Sequence, residues 1–115
     1  MVATADVGRL AAELLLESWA GRRVVELEGP ARVTPLRVVA VLSRLLKREV
    51  RMQEVPRADW EALFRAQGMR NPLPRMCMLD GFNEGWIEFE DAQAVLKGIT
   101  TLETVLAGLV EPEAA

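Results

Sequence analysis

The chain of 115 residues contains no histidine, no tyrosine and one cysteine, Cys77. Without histidine, neither a Ser-His-Asp nor a Cys-His arrangement can be built, and the commonest metal ligand is missing. A single cysteine excludes an internal disulfide, fits a reducing compartment and, without histidine, leaves no zinc ligand set. We therefore expect no catalytic residue and no metal site, in a cytoplasmic protein.

The chain also lacks a strongly basic surface and a long apolar run. It has 14 Lys and Arg against 17 Asp and Glu, for a net charge of −3, so it is not built to neutralise nucleic-acid phosphates. No apolar stretch approaches the ~20 residues of a membrane span. The first residues have no basic region followed by an apolar run, so we expect no secretory signal. The sequence predicts neither a nucleic-acid partner nor a membrane partner.

A phosphate-binding turn is absent as well. The eight glycines never form G-x-G-x-x-G after a strand, the turn in which a dinucleotide fold holds its cofactor. We expect no cofactor-binding residue on this chain. Asp80 and Glu84 share one face if residues 76–84 are helical, but no nucleophile lies nearby in sequence. We interpret them as part of a solvated helix face.

The composition that remains is that of an ordinary globular domain. Half of the residues are apolar and 27% are charged, which is too hydrophobic for a disordered chain. The length is close to the commonest size of a single domain. We expect one domain over residues 1–115, with residues 111–115 as a frayed tail.

Apolar residues recur at helical spacing in four segments, and a fifth, less regular segment also favours a helix. Their ends carry capping residues, in particular Asp6, Thr34 before Pro35, Gly68, and a capping box of Thr100 and Glu103. The predicted helices cover residues 7–19, 36–47, 57–67 and 76–84, and a last helix that begins near residue 100. The second of them is apolar over most of its surface, which predicts heavy burial.

Two short strands flank the second helix in this prediction. Residues 23–28 (RVVELE) stop at Gly29-Pro30, and residues 50–55 stop at Pro56. The predicted fold is an α/β, or α+β-like, small domain with one right-handed β-α-β unit, in which several helices pack on two short parallel strands. A lone two-stranded parallel sheet is marginal in water, so we expect it to be covered by something larger.

The segment between residues 67 and 86 contains the candidate ligand-binding residues of the sequence. It mixes flexible apolar side chains with amide and guanidinium donors around two prolines, which suits a pocket wall that orients an anionic or carbonyl ligand. Aromatic residues then follow in an irregular, Gly-containing stretch. An ordinary surface loop is the alternative interpretation. The candidate substrate-binding residues are Gln67, Met69, Arg70, Asn71, Met78, Phe82, Asn83 and Trp86.

Six phrases, in order, resemble a known family. They are ATADVGRLAAELLLE, RVVELEGP, SRLLKREV, VPRADWEALFRAQGM, MLDGFNEGWIEFE and KGITTLETVL. Together they resemble the C-terminal portion of NmrA-like NAD(P)-binding proteins, in the atypical short-chain dehydrogenase/reductase superfamily, over nearly the whole chain. In that family an N-terminal Rossmann domain binds the dinucleotide, and a smaller C-terminal portion completes the substrate side.

The resemblance implies NAD(P) for full-length relatives but no cofactor for this chain, because the Rossmann half has no counterpart here. It would place pocket residues at 68–71 and 80–83. Since the family includes proteins that sense dinucleotides to regulate transcription, it does not imply that this chain is an enzyme.

Three hypotheses follow. The first is a non-catalytic binding or structural module that forms homo-oligomers through the face left by the missing Rossmann domain. The second is the substrate side of an NAD(P)H-dependent oxidoreductase or redox sensor, whose Rossmann domain is on a partner chain. The third is a free-standing small-molecule binder.

Overall fold

The computed structural model describes residues 1–114, and α-helices account for about half of the chain. The fold is a small mixed α/β fold, as the sequence predicts. A 3₁₀ turn at Arg57–Asp59 leads into the third helix. The elements are α1 (Thr4–Leu15), β1 (Leu27–Glu28), α2 (Pro35–Leu46), α3 (Trp60–Ala66), α4 (Leu73–Glu84), β2 (Leu96–Lys97) and α5 (Leu102–Ala114).

The chain divides into two compact units. The sheet unit comprises residues 1–52 and 93–115, with both strands and α1, α2 and α5. The helical unit comprises residues 53–92, with α3 and α4. The single domain expected over 1–115 stays a prediction, because two compact units can belong to one folding domain.

The two strands pair in parallel, with Leu27 opposite Leu96 and Glu28 opposite Lys97. The Leu96 N–H donates to the Glu26 carbonyl at 2.9 Å, and the Gly98 N–H donates to the Glu28 carbonyl at 2.7 Å. Two short parallel strands were predicted, and this is confirmed. The first strand is shorter than the predicted 23–28, because only its last two residues have a partner strand.

The predicted position of the second strand, residues 50–55, is wrong. Lys47 ends α2 in the left-handed conformation, with φ of 53°, and turns the chain. The Ser43 hydroxyl then takes both backbone groups of Val50: it accepts from the N–H at 3.0 Å and donates to the carbonyl at 3.3 Å. A serine side chain therefore satisfies the backbone that a strand ladder would have used.

Helix α2 begins as predicted. The Thr34 hydroxyl accepts from the Arg37 N–H at 3.2 Å, and Pro35 occupies the first turn, where its missing N–H costs nothing. The helix packs against α5 and buries Val41. Its other apolar residues are half-buried, apart from the exposed Leu36 and Ala40, so it is less deeply buried than predicted.

The helices of the helical unit confirm the predictions for residues 57–67 and 76–84. Helix α4 starts three residues earlier than predicted, after the Asn71 side chain accepts from the Leu73 N–H at 3.3 Å. It ends at Gly85, whose φ of 79° suits a residue without a side chain. The large side chains buried in the core of this unit are Phe64 and Met76.

The start of α5 differs from the predicted capping box by one residue. The Thr101 hydroxyl, and not that of Thr100, accepts from the Thr104 N–H at 3.2 Å. Thr100 is engaged elsewhere, as described below. The predicted frayed tail, residues 111–115, falls at the end of this helix, and residue 115 lies outside the described residues, so that expectation stays a prediction.

Candidate functional site

Asp6 is a buried carboxylate in the first turn of α1, 3% exposed. Its Oδ2 accepts from the Thr100 N–H at 2.9 Å, and its Oδ1 accepts from the Thr100 hydroxyl at 2.7 Å. Arg9 lies 3.2 Å from the same carboxylate. The prediction that Asp6 caps α1 is therefore wrong. The helix begins after Ala3, and the carboxylate binds a residue 94 positions away.

These contacts keep Asp6 ionised. The pKa of Asp6 lies below its ordinary value, mainly because the Thr100 N–H and then the Thr100 hydroxyl donate to the charged form, with Arg9 contributing less. Gly98 explains how the carboxylate fits beside β2, because a side-chain carbon at position 98 would collide with Asp6 Oδ2. The arrangement joins α1 to the chain between β2 and α5.

A cavity of about 440 Å³ opens in the sheet unit. Three segments form it: the residues leading into α1, the loop between β1 and α2, and the start of α5. The Gly29 N–H donates to the Met1 carbonyl at 3.0 Å and holds two of these segments together. The lining residues are Met1, Val2, Ala3, Gly29, Pro30, Ala31, Arg32, Val33, Arg37, Thr100, Thr101, Leu102, Glu103 and Val105.

An ion pair lies in the wall of this cavity. Arg37 from the first turn of α2 donates to the Glu103 carboxylate from the first turn of α5. The pKa of Glu103 lies below its ordinary value, because its own backbone N–H donates to the carboxylate and Arg37 adds its positive charge. No sequence pattern pairs these two residues, which are 66 positions apart. The sequence prediction therefore missed this cavity.

The eight candidate residues of the sequence prediction all belong to the helical unit, and none lines the cavity. Met69 is half-buried and the other seven are exposed. Met78 and Phe82 lie one turn apart on α4, so the structure places these two on the same exposed face. The substrate-binding role of the eight residues stays a prediction.

Several polar groups of the predicted segment have partners within the helical unit. The Arg70 carbonyl accepts from Arg65 NH1 at 2.9 Å, and Trp86 Nε1 donates to Glu84 Oε2 at 3.1 Å. The Asn71 side chain accepts from the Leu73 N–H, as described above. The contacts of Arg70 and Asn71 lie in the turn between α3 and α4, and the contact of Trp86 lies at the end of α4.

Asp80 belongs to an ion pair with Arg57, so it is not simply part of a solvated helix face. Arg57 Nε and NH2 donate to its carboxylate at 2.9 and 2.7 Å. The pKa of Asp80 lies below its ordinary value, mainly because of the hydrogen bond from Arg57. The Arg57 guanidinium also lies 5.5 Å from the Trp60 ring centroid, and Trp60 Nε1 donates to the Val55 carbonyl at 2.9 Å. The pair stabilises the packing of α3 and α4.

Large apolar side chains are exposed on α1. Leu15 is 83% exposed and Leu16, directly after the helix, is 89% exposed. They continue a side of α1 whose members are all exposed and uncharged. We call this surface the α1 outer face, and it comprises Val7, Gly8, Ala11, Ala12, Leu15 and Leu16.

Among the side chains that the structure describes, those of residues 1–110, no group of three or more His, Cys, Asp or Glu could hold a metal ion. In the same part of the chain, no helix is both long enough and apolar enough to cross a membrane. Comparisons with protein-family models, with curated proteins and with solved structures found no match to this chain.

Proposed function

We propose that this chain is a non-catalytic binding module that pairs with a second copy of itself through the α1 outer face. The observation that carries the proposal is the exposure of Leu15 and Leu16, which leaves two leucine side chains almost wholly in water. Burying such a side chain is worth about 1.5–3 kcal/mol. The resemblance of the sequence to the substrate side of NmrA-like proteins supports a binding role.

The α1 outer face has the chemistry of a helix-packing surface. Val7, Ala11 and Leu15 follow at intervals of four residues, which places them in one row along the helix. The buried Asp6 and the half-buried Leu10 and Leu14 define the side of α1 that faces its own unit. The outer face is therefore an apolar stripe without a partner in the described chain.

The exposed surface of the chain is large enough to accommodate an interface. The chain exposes 9248 Å², whereas separate compact units of 75 and 40 residues would together expose about 7,500 Å². The excess is about 1,700 Å², and a stable interface needs about 800 Å² from each partner.

A second copy of the chain fits the α1 outer face because the face is self-complementary. Gly8, Ala11 and Ala12 provide low points, and Val7 and Leu15 provide high points, so two α1 helices related by a two-fold axis can interlock. The face carries no charge, so pairing it with itself brings no like charges together. A dimer formed in this way would be isologous.

The carboxylates support a binding role without catalysis. A general acid at neutral pH needs a raised pKa, but the pKa values of Asp6, Asp80 and Glu103 are all lowered. Each of these three is also hydrogen-bonded to a partner within its own unit. The proposal includes a cytoplasmic location, which the single cysteine supports.

Light scattering after size-exclusion chromatography, over a wide range of concentration, tests the proposal. We expect a mass of twice 12.8 kDa for the wild type and of 12.8 kDa for Leu15→Glu, because a dimer would bury this charge. Leu36→Glu is the matched control, since Leu36 is also exposed but lies at the start of α2; this variant should stay dimeric. Circular dichroism verifies that each variant is folded.

Two results would overturn the proposal. A wild type that stays monomeric at every concentration would exclude self-association. A dimer that survives Leu15→Glu would place its interface away from the α1 outer face.

A further inference from the structure

We propose that the cavity of the sheet unit binds a small apolar molecule that carries one carboxylate, with Arg37 as the partner of that carboxylate. This site is separate from the α1 outer face, because none of the six residues of that face lines the cavity. The inference therefore does not depend on self-association.

The size and walls of the cavity suit the apolar part of such a ligand. Its volume of about 440 Å³ lies in the range of small-molecule sites, which are concave and mostly apolar with a few polar groups. Val2, Val33, Leu102 and Val105 contribute branched aliphatic side chains from all three segments. A hydrocarbon chain or an aromatic ring would replace water against these side chains, which is favourable in proportion to the apolar area covered.

The charged groups of the lining are mainly guanidinium groups. Two guanidinium groups, of Arg32 and Arg37, line the cavity, against one carboxylate, of Glu103. The nearby Asp6 carboxylate is occupied, because Thr100 donates to both of its oxygens. The Arg32 guanidinium lies 3.5 Å from the Glu28 carboxylate, which does not line the cavity, so Arg37 is the guanidinium that we assign to a ligand.

Arg37 has the capacity to bind a second carboxylate. A guanidinium carries five N–H donors in a planar fork, and in this structure its NH2 group donates to Glu103 Oε1. The side chain is more than half exposed and lines the cavity, so it can reorient its other donors toward a bound ligand. Glu103 then acts as a positioning residue: its hydrogen bond fixes the Arg37 guanidinium at the wall of the cavity.

Titration calorimetry with octanoate tests the inference, with octan-1-ol as the uncharged probe of the same chain length. We expect saturable octanoate binding to the wild type. Arg37→Gln should weaken octanoate binding about tenfold to a hundredfold, because it removes hydrogen bonds between charged groups. It should leave the affinity for octan-1-ol unchanged. Arg44→Gln is the matched control, since Arg44 lies on α2 outside the cavity.

A second pair of variants tests the cavity without changing charge. Ala31→Trp fills the cavity from a loop and should abolish binding of both probes. Ala40→Trp adds the same side chain at an exposed position of α2 outside the cavity and should bind both probes like the wild type.

The inference is overturned if octanoate does not bind with saturation. It is also overturned if Arg37→Gln has no more effect than Arg44→Gln, or if Ala31→Trp binds like Ala40→Trp. A failure of self-association leaves all of these expectations unchanged, so the two proposals can be told apart.

Discussion

The sheet unit and the helical unit are stabilised by contacts of different range. In the sheet unit, the contacts between Asp6 and Thr100, Lys97 and Glu28, and Arg37 and Glu103 join residues 94, 69 and 66 positions apart. In the helical unit, the ion pair of Arg57 and Asp80 joins residues 23 positions apart, and Trp60 binds a carbonyl five positions away. The helical unit is therefore organised by local contacts, and the sheet unit by contacts between distant segments.

The largest effect should come from Phe64→Ala, which tests whether the helical unit opens on its own. Phe64 is 6% exposed, and the Arg75 guanidinium lies 4.6 Å from its ring centroid. Truncation of a buried phenylalanine costs about 3–5 kcal/mol. Hydrogen exchange followed by mass spectrometry should show faster exchange in peptides of residues 53–92, whereas peptides that contain Asp6 or Thr100 keep their protection.

Phe82→Ala is the matched control for this experiment, because Phe82 is 58% exposed and its loss should change stability by less than about 0.5 kcal/mol. If both units of Phe64→Ala lost protection equally, the two units would not unfold independently. The chain would then unfold as one cooperative structure.

The next largest effect should come from Gly98→Ala, which tests the long-range closure of the sheet unit. The added methyl group would meet Asp6 Oδ2, and such overpacking costs about 1–3 kcal/mol. Gly108→Ala is the control: Gly108 lies within α5 with no atom near the new methyl group, so it should gain about 0.5–1 kcal/mol. Urea unfolding measures both. A Gly98→Ala variant as stable as the wild type would contradict the interpretation that the contact between Asp6 and Thr100 needs a glycine at position 98.

The smallest expected effects concern the loss of stability at acid pH. They compare one carboxylate from each unit. The folded-state pKa values of Asp6 and Asp80 are lowered, so each carboxylate contributes stability that is complete above the unfolded-state value of about 4. This stability is lost as the pH falls through the lower folded-state pKa. The melting temperature of Asp6→Asn and of Asp80→Asn should therefore fall less than that of the wild type between pH 7 and pH 3.

Added salt should distinguish the contributions of the two carboxylates to the melting temperature. The partner of Asp80 is the largely exposed Arg57, so salt screens this pair, whereas Asp6 is buried and bound mainly by the uncharged Thr100. Salt should therefore reduce the difference in melting temperature between the wild type and Asp80→Asn more than that between the wild type and Asp6→Asn. An equal reduction for the two variants would contradict this expectation.

The sequence predicted the helical unit well because its signals are local. Helical spacing, the stop at Gly68 and the turn around Asn71 all act within a few residues of the helices that they delimit. The second strand was misplaced because Leu96–Lys97 has only two residues and no alternating pattern, whereas residues 50–55 have the composition of a strand. Residues 50–55 do not form a strand, because the Ser43 side chain binds the backbone of Val50.

The residues of the candidate site were harder to predict for a related reason. A mixture of apolar and polar residue types identified an exposed segment of the helical unit, but it carries no information about which distant segments meet. The cavity depends on three segments that only the folded sheet unit brings together. The same holds for Asp6: its position in the sequence predicts a local cap, but its partner is the distant Thr100.

The link between Asp6 and Thr100 also sets the order in which the protein can be completed on the ribosome. Helix α1 is synthesised before its partner, so the Asp6 carboxylate cannot bind Thr100 until the polypeptide has grown by another 94 residues. The helical unit emerges complete before then, and its short contacts close with a small loss of chain entropy. Helix α1 is therefore made before the helical unit, but its long-range contact forms after that unit.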